Sequence, residues 1–138
     1  MTNSKSPTEK FNEIENLVKD TFTNDQKRAI LYSLLLIAKS DGEYHQNERL
    51  ILDVTAQFLN YNLNDIKFLQ YPSLGVETMY QELNTLNSKQ KDWYILSTYG
   101  MINADFQYKQ VEDNFANHFF EKMGISEEYI NKLVQYYQ

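Results

Sequence analysis

Residues 41–48 read DGEYHQNE and bring three carboxylates, Asp41, Glu43 and Glu48, into one short stretch with Gly42 and His45 between them. Side chains of this kind suit a hard cation. Ca²⁺ takes about six to eight oxygens, and Mg²⁺ keeps several waters around one or two carboxylates. Loop carbonyls and water would complete either shell. The spacing is not that of an EF-hand, whose loop runs about twelve residues from first Asp to last Glu. His45 would suit a transition metal, but one imidazole among carboxylates singles none out. A structural reading needs no ion. Gly42 fits a left-handed cap on the helix before it. His45-Gln46-Asn47-Glu48 has the spacing of a capping box with an imperfect first residue. A Glu in that place gains about 0.3–1 kcal/mol from the helix dipole.

Other chemistry is sparse. There are no cysteines, so disulfides, thiolate metal sites and cysteine nucleophiles are absent together, and a reducing compartment is consistent. No glycine-rich phosphate loop, HExxH pair or serine nucleophile motif accompanies His45 or His118. His118 falls at the edge of an apolar helical face, where a boundary histidine is the ordinary reading. The expectation therefore leans away from an enzyme. The enzymatic alternative is a metal-assisted hydrolase centred on Asp41, Glu43, Glu48 and His45, which requires those side chains to converge in a concave pocket. Tyr129, Tyr136 and Tyr137 offer either a protein-binding patch or a staple for the last helix.

The elements that must position these residues read as helices. Only two prolines and four glycines punctuate the chain, and apolar residues recur at three and four with no sustained alternation. Ser6-Pro7-Thr8-Glu9 opens a first helix with stripe Phe11, Ile14, Val18 and Phe22. Thr23-Asn24-Asp25-Gln26 opens a second, whose stretch 29–38 is apolar nearly all round and so central. Leu50, Val54 and Phe58 mark a face of the third, and Leu63, Ile66 and Leu69 a short fourth. After Tyr71-Pro72-Ser73 come a fifth on Val76, Met79, Leu83 and Leu86, and a core segment over 93–102. Val111, Phe115, Phe119 and Met123 give a seventh. Gly124 caps it, and Ser126 opens a last helix with Ile130, Leu133 and Tyr137 inside. The fold class is all-α, a single compact domain of seven or eight helices over 1–138.

The acidic stretch has an echo. A shift of 64 places Asp41 on Asp105, Tyr44 on Tyr108, Gln46 on Gln110 and Glu48 on Glu112, with Ser33 on Ser97 before them. Beyond them Ile51 meets Phe115, Thr55 meets Phe119 and Leu59 meets Met123. The order of buried helix, acidic turn, amphipathic helix and short closing helix thus occurs twice. Repeat units run over about 24–70 and 88–138, with 1–23 as an N-terminal capping helix, and the two units are expected to pack about a pseudo-twofold. Two units make a duplicated domain and not a solenoid.

LLLIAKSDGEYHQNERLILDVTAQFL, residues 34–59, resembles the first motif of the TerB-like domains, named after tellurite-resistance proteins. Its apolar helix ends in Ala-x-Ser-Asp-Gly, followed by an acid and a Glu opening the next helix. GMINADFQYKQVEDNFANHFFEKMGIS, residues 100–126, echoes the second motif, and the resemblance covers about 24–138. It implies an all-helical, internally duplicated cytoplasmic domain from stress and tellurite-resistance systems, with divalent metal held by acidic loop residues and no established enzymatic activity. Carried onto this chain, those residues are Asp41, Glu43 and Glu48 in the first motif and Asp105 and Glu112 in the second. The second copy departs from the pattern: Phe106 replaces the glycine, Gln107 the acid, and Lys109 adds a positive charge.

Charge narrows the partners. Nineteen acidic against 13 basic residues give a formal −6, which repels a phosphate backbone, so nucleic acid is not an expected partner. No apolar run reaches bilayer length and the start MTNSKSPTEK lacks a signal core, so no membrane span and a cytoplasmic location are expected. The expected function is a non-enzymatic TerB-like module binding a divalent cation (Ca²⁺ or Mg²⁺), a partner protein, or both. A purely structural interaction domain stands beside it.

Overall fold

The computed structural model of the protein describes residues 5–40, 42, 46–103 and 110–137, and of Val111 the backbone alone. The described residues form eight α-helices and no strand: α1 (Pro7–Val18), α2 (Asn24–Ala38), α3 (Gln46–Phe58), α4 (Ile66–Leu69), α5 (Val76–Asn84), α6 (Ser88–Ile102), α7 (Gln110–Lys122) and α8 (Glu127–Tyr136). A single 3-10 turn, Tyr71–Leu74, separates α4 from α5. No helix among them is long and apolar enough to cross a membrane.

Local chemistry sets the helix ends. Ser6 Oγ accepts from the Glu9 amide at 3.2 Å, with Pro7 as first helical residue. Thr23 and Gln26 close a full capping box on α2. Asn87 and Gln90 close another on α6, beyond the helix starts expected from the sequence. These two boxes are 64 residues apart. Gly42 and Gly124 adopt φ of 86° and 73°, the left-handed conformation that a Cβ disfavours.

The two central helices are α2 and α6. Ala29, Ile30, Leu31, Leu34 and Ile37 of α2 are fully buried, as are Tyr94, Ile95 and Met101 of α6. Packing is reciprocal: α5 lies on α2, α1 lies on α6, and α2 also meets α6 directly. Each capping glutamine reaches across to the other unit. Gln26 Nε2 donates to Thr85 Oγ1 at 2.9 Å, and Gln90 Nε2 donates to Thr21 Oγ1 at 3.0 Å. Thr21 and Thr85 in turn donate to the carbonyls of Val18 and Glu82, each three residues back. Every member of this quartet maps onto another by the 64-residue shift. The correspondence therefore extends upstream of residue 24 and relates α1 to α5.

Three predicted faces differ from those observed. On α3 the inward residues are Glu48, Leu52, Thr55 and Ala56, while Leu50 and Val54 are 54% and 58% exposed. The inward stripe at helical spacing carries a Glu and a Thr, so counting apolar residues selects a neighbouring face. On α4, Phe68 is buried while Ile66 and Leu69 are exposed. On α7, Ala116, Phe119 and Phe120 are buried while Phe115 is 37% exposed. Tyr136 and Tyr129 tie α8 down: Lys10 Nζ donates to the Tyr136 carbonyl at 2.7 Å, and the Tyr129 hydroxyl bonds Asp92.

Candidate functional site

Of the six predicted metal-site residues, Glu48 and Glu112 fall within the described residues. Asp41, Glu43, His45 and Asp105 lie outside them. Glu48 and Glu112 are 2% and 0% exposed, each in the first turn of its helix, α3 or α7. Burying a carboxylate is costly unless positive charge or hydrogen bonds meet it, and a helix N-terminus supplies part of that. Their matching positions make a buried glutamate a feature of the repeated unit. Among the described residues no group of three or more His, Asp or Glu gathers as a metal would need.

An apolar opening lies elsewhere. A groove of about 430 Å³ runs between α1, α3 and α6, walled by Phe11, Ile51, Phe58 and Leu96 over Trp93. Trp93 is 1% exposed and sits against Phe22 and Phe58, ring centroids 5.2 Å away in both cases. Thr55, Ser97 and Gly100 also line the groove, and Glu15 is the single charged residue among the described lining. Burial raises the Glu15 carboxyl above its ordinary value. Its side chain makes no ion pair among the described residues.

The second unit explains why this space is open. Position 55 is threonine where its twin is Phe119, and position 100 is glycine where its twin is Leu36. Phe119 is 1% exposed and packs on Tyr80 and Phe115 at 5.6 and 5.0 Å between centroids, so a large ring stands where Thr55 has a small side chain. Ser33 is likewise fully buried, its Oγ 2.6 Å from the Tyr94 hydroxyl and donating to the Ile30 carbonyl at 2.7 Å. Its twin Ser97 is half-exposed in the groove. The signal is present in the repeat as small residues opposite large ones at 55 and 100. A methyl group added at Gly100 would meet open space, so Gly100→Ala is expected to stabilise the fold by ~0.5–1 kcal/mol, read as a higher urea midpoint.

Two smaller openings are more polar. One, of about 420 Å³, is lined by Arg28, Lys67, Asp25, Glu82 and Tyr71. Arg28 is already engaged there, 2.8 Å from Asp25, 3.2 Å from the Tyr61 hydroxyl and 3.6 Å from Asp65. The Tyr61 hydroxyl, by donating to Asp65, holds that carboxyl below its ordinary value. The other, of about 350 Å³, lies by Asp92 and Tyr129. Neither Glu48 nor Glu112 lines any of the three openings, so the pocket required by the hydrolase alternative is not among them.

Comparison with curated proteins and with solved structures gives no match. A family model does match: residues 3–70 fit the model described as Tellurite resistance protein TerB. That segment begins upstream of the resemblance read from the motifs, takes in α1 to α4, and ends at residue 70, before the second motif. Through it residues 3–70, which hold α1 to α4 of this all-helical fold, are similar to the TerB family.

Proposed function

We propose that this chain is a non-enzymatic TerB-like module that holds a divalent cation, Ca²⁺ or Mg²⁺, at the acidic turn leading into α3. The observation that supports the reading is the burial of the Glu48 carboxylate, 2% exposed, in the first helical turn after that stretch. Carboxylates with loop carbonyls form a hard-cation donor set, and Asp41 and Glu43 would supply its remaining charge with His45 beside them. Asp105 and Glu112 mark the equivalent turn, where Phe106, Gln107 and Lys109 replace a glycine and an acid and add a cation, so one site is proposed and not two. A stress or metal-response setting with a protein partner is the context this function would serve.

Calorimetry with Ca²⁺, Mg²⁺, Mn²⁺ and Zn²⁺ tests it. Saturable heat is expected with one of the first two, together with a chelator-reversible rise in Tm. At a hundredfold excess over Kd that rise corresponds to ~2.7 kcal/mol. Asp41→Asn with Glu43→Gln should abolish both effects, Glu48→Gln should abolish the Tm rise, and Glu112→Gln should leave it. No heat with any of the four ions, or equal effects of Glu48→Gln and Glu112→Gln regardless of metal, would reduce the acidic turn to capping chemistry.

A further inference from the structure

We propose that the groove between α1, α3 and α6 is a binding site for a small amphiphilic ammonium compound, its apolar part over the Trp93 floor and its cationic head on Glu15. The internal duplication provides the control. The positions equivalent to Thr55 and Gly100, which line the groove, carry the larger apolar residues Phe119, 1% exposed, and Leu36, partly buried. The residues at the twin positions are apolar, and about 430 Å³ is within the range of small-molecule pockets.

The head group follows from charge. Glu15 is half-buried beside apolar walls and has no ion pair among the described residues. Any apolar occupant strips more water from that carboxylate, which costs free energy unless the occupant brings a compensating charge. An ammonium supplies it, a neutral head does not, and a carboxylate adds repulsion. The twin of Glu15 is Met79, which is fully buried, so the carboxylate beside the groove has no counterpart at the equivalent position.

Trp93 is the only tryptophan of the chain, so its fluorescence reports the groove directly. Titration with n-octylammonium is expected to give a saturable change, with affinity about fivefold or more above n-octanol and n-octanoate. Glu15→Gln, at a half-exposed position, should remove that preference while leaving the melt cooperative. Thr55→Phe and Gly100→Leu, made singly with the twin's residues, should each weaken octylammonium binding about tenfold. Whichever of the two keeps a wild-type circular dichroism spectrum decides the point, and Glu15→Gln stands independently of both. Equal affinities for the three probes overturn the proposal, as do retention of the ammonium preference in Glu15→Gln, undiminished binding in a folded filling variant, or no saturable change.

Discussion

Replacing Trp93 with alanine is expected to lower stability by ~3–5 kcal/mol, as large buried aromatics do when truncated. Set against a total of ~5–15 kcal/mol for a domain, that loss leaves a marginal fold. The indole is 1% exposed and is held between Phe22, from the loop after α1, and Phe58, at the end of α3. Its removal would unseat three elements together and drop the floor of the groove. The equivalent residue in the first unit is Ala29, itself fully buried, so the surroundings of the two positions are not interchangeable. Trp93→Phe should cost far less, because Nε1 makes no hydrogen bond among the described residues and its loss forfeits none. Urea unfolding followed by circular dichroism measures both variants. An alanine variant within ~1 kcal/mol of the wild type would show that the groove floor lies outside the cooperative core.

The fold is legible in the sequence where a physical rule acts locally. Thr23 and Gln26 announce the start of α2 because a side-chain oxygen and a side-chain amide at that spacing satisfy two orphan backbone groups, and both bonds form. The all-apolar stretch of α2 announces its burial in the same local way. Faces are less legible wherever a unit buries polar residues. Glu48 and Thr55 lie on the inner face of α3, and only long-range packing determines that Val54 is left out. Of the candidate site, Glu48 and Glu112 are buried, while Asp41, Glu43, His45 and Asp105 lie outside the described residues. The groove is hidden from a sequence reading because it consists of missing volume. Thr55 and Gly100 carry no chemistry to notice, and they acquire meaning only beside Phe119 and Leu36 in a second copy of the same architecture.

Tyrosine ionisation should make the fold fail in alkali, with an effect as large as the Trp93 truncation. Burial, followed by the charges of Glu82 and Asp25, pushes the Tyr71 phenol up to about 12. Burial raises Tyr94 as well, against the opposing hydrogen bonds of Ser33 and Thr98. In the unfolded chain both ionise near the ordinary value of about 10. Above that pH the unfolded state binds fewer protons than the folded state, so stability falls as pH rises. It is fully present below the unfolded value and is lost toward the folded one, from 10 to about 12 for Tyr71. Each phenol contributes ~1.4 kcal/mol per pH unit within its window, so the two together remove ~5 kcal/mol over two units. Urea midpoints between about pH 9 and pH 12 should trace this loss, and Tyr94→Phe or Tyr71→Phe should each reduce the slope, with Tyr129, also pushed up to about 12, contributing to the remainder. The neutral-pH costs separate the two residues. Tyr71 Oη makes no hydrogen bond among the described residues, so its removal is nearly neutral, whereas Tyr94→Phe breaks the 2.6 Å contact with Ser33 and should cost ~1 kcal/mol. An alkaline slope unchanged in Tyr94→Phe would mean that the phenol between the two units is reached by water, and that α2 and α6 do not seal the interior as their burial indicates.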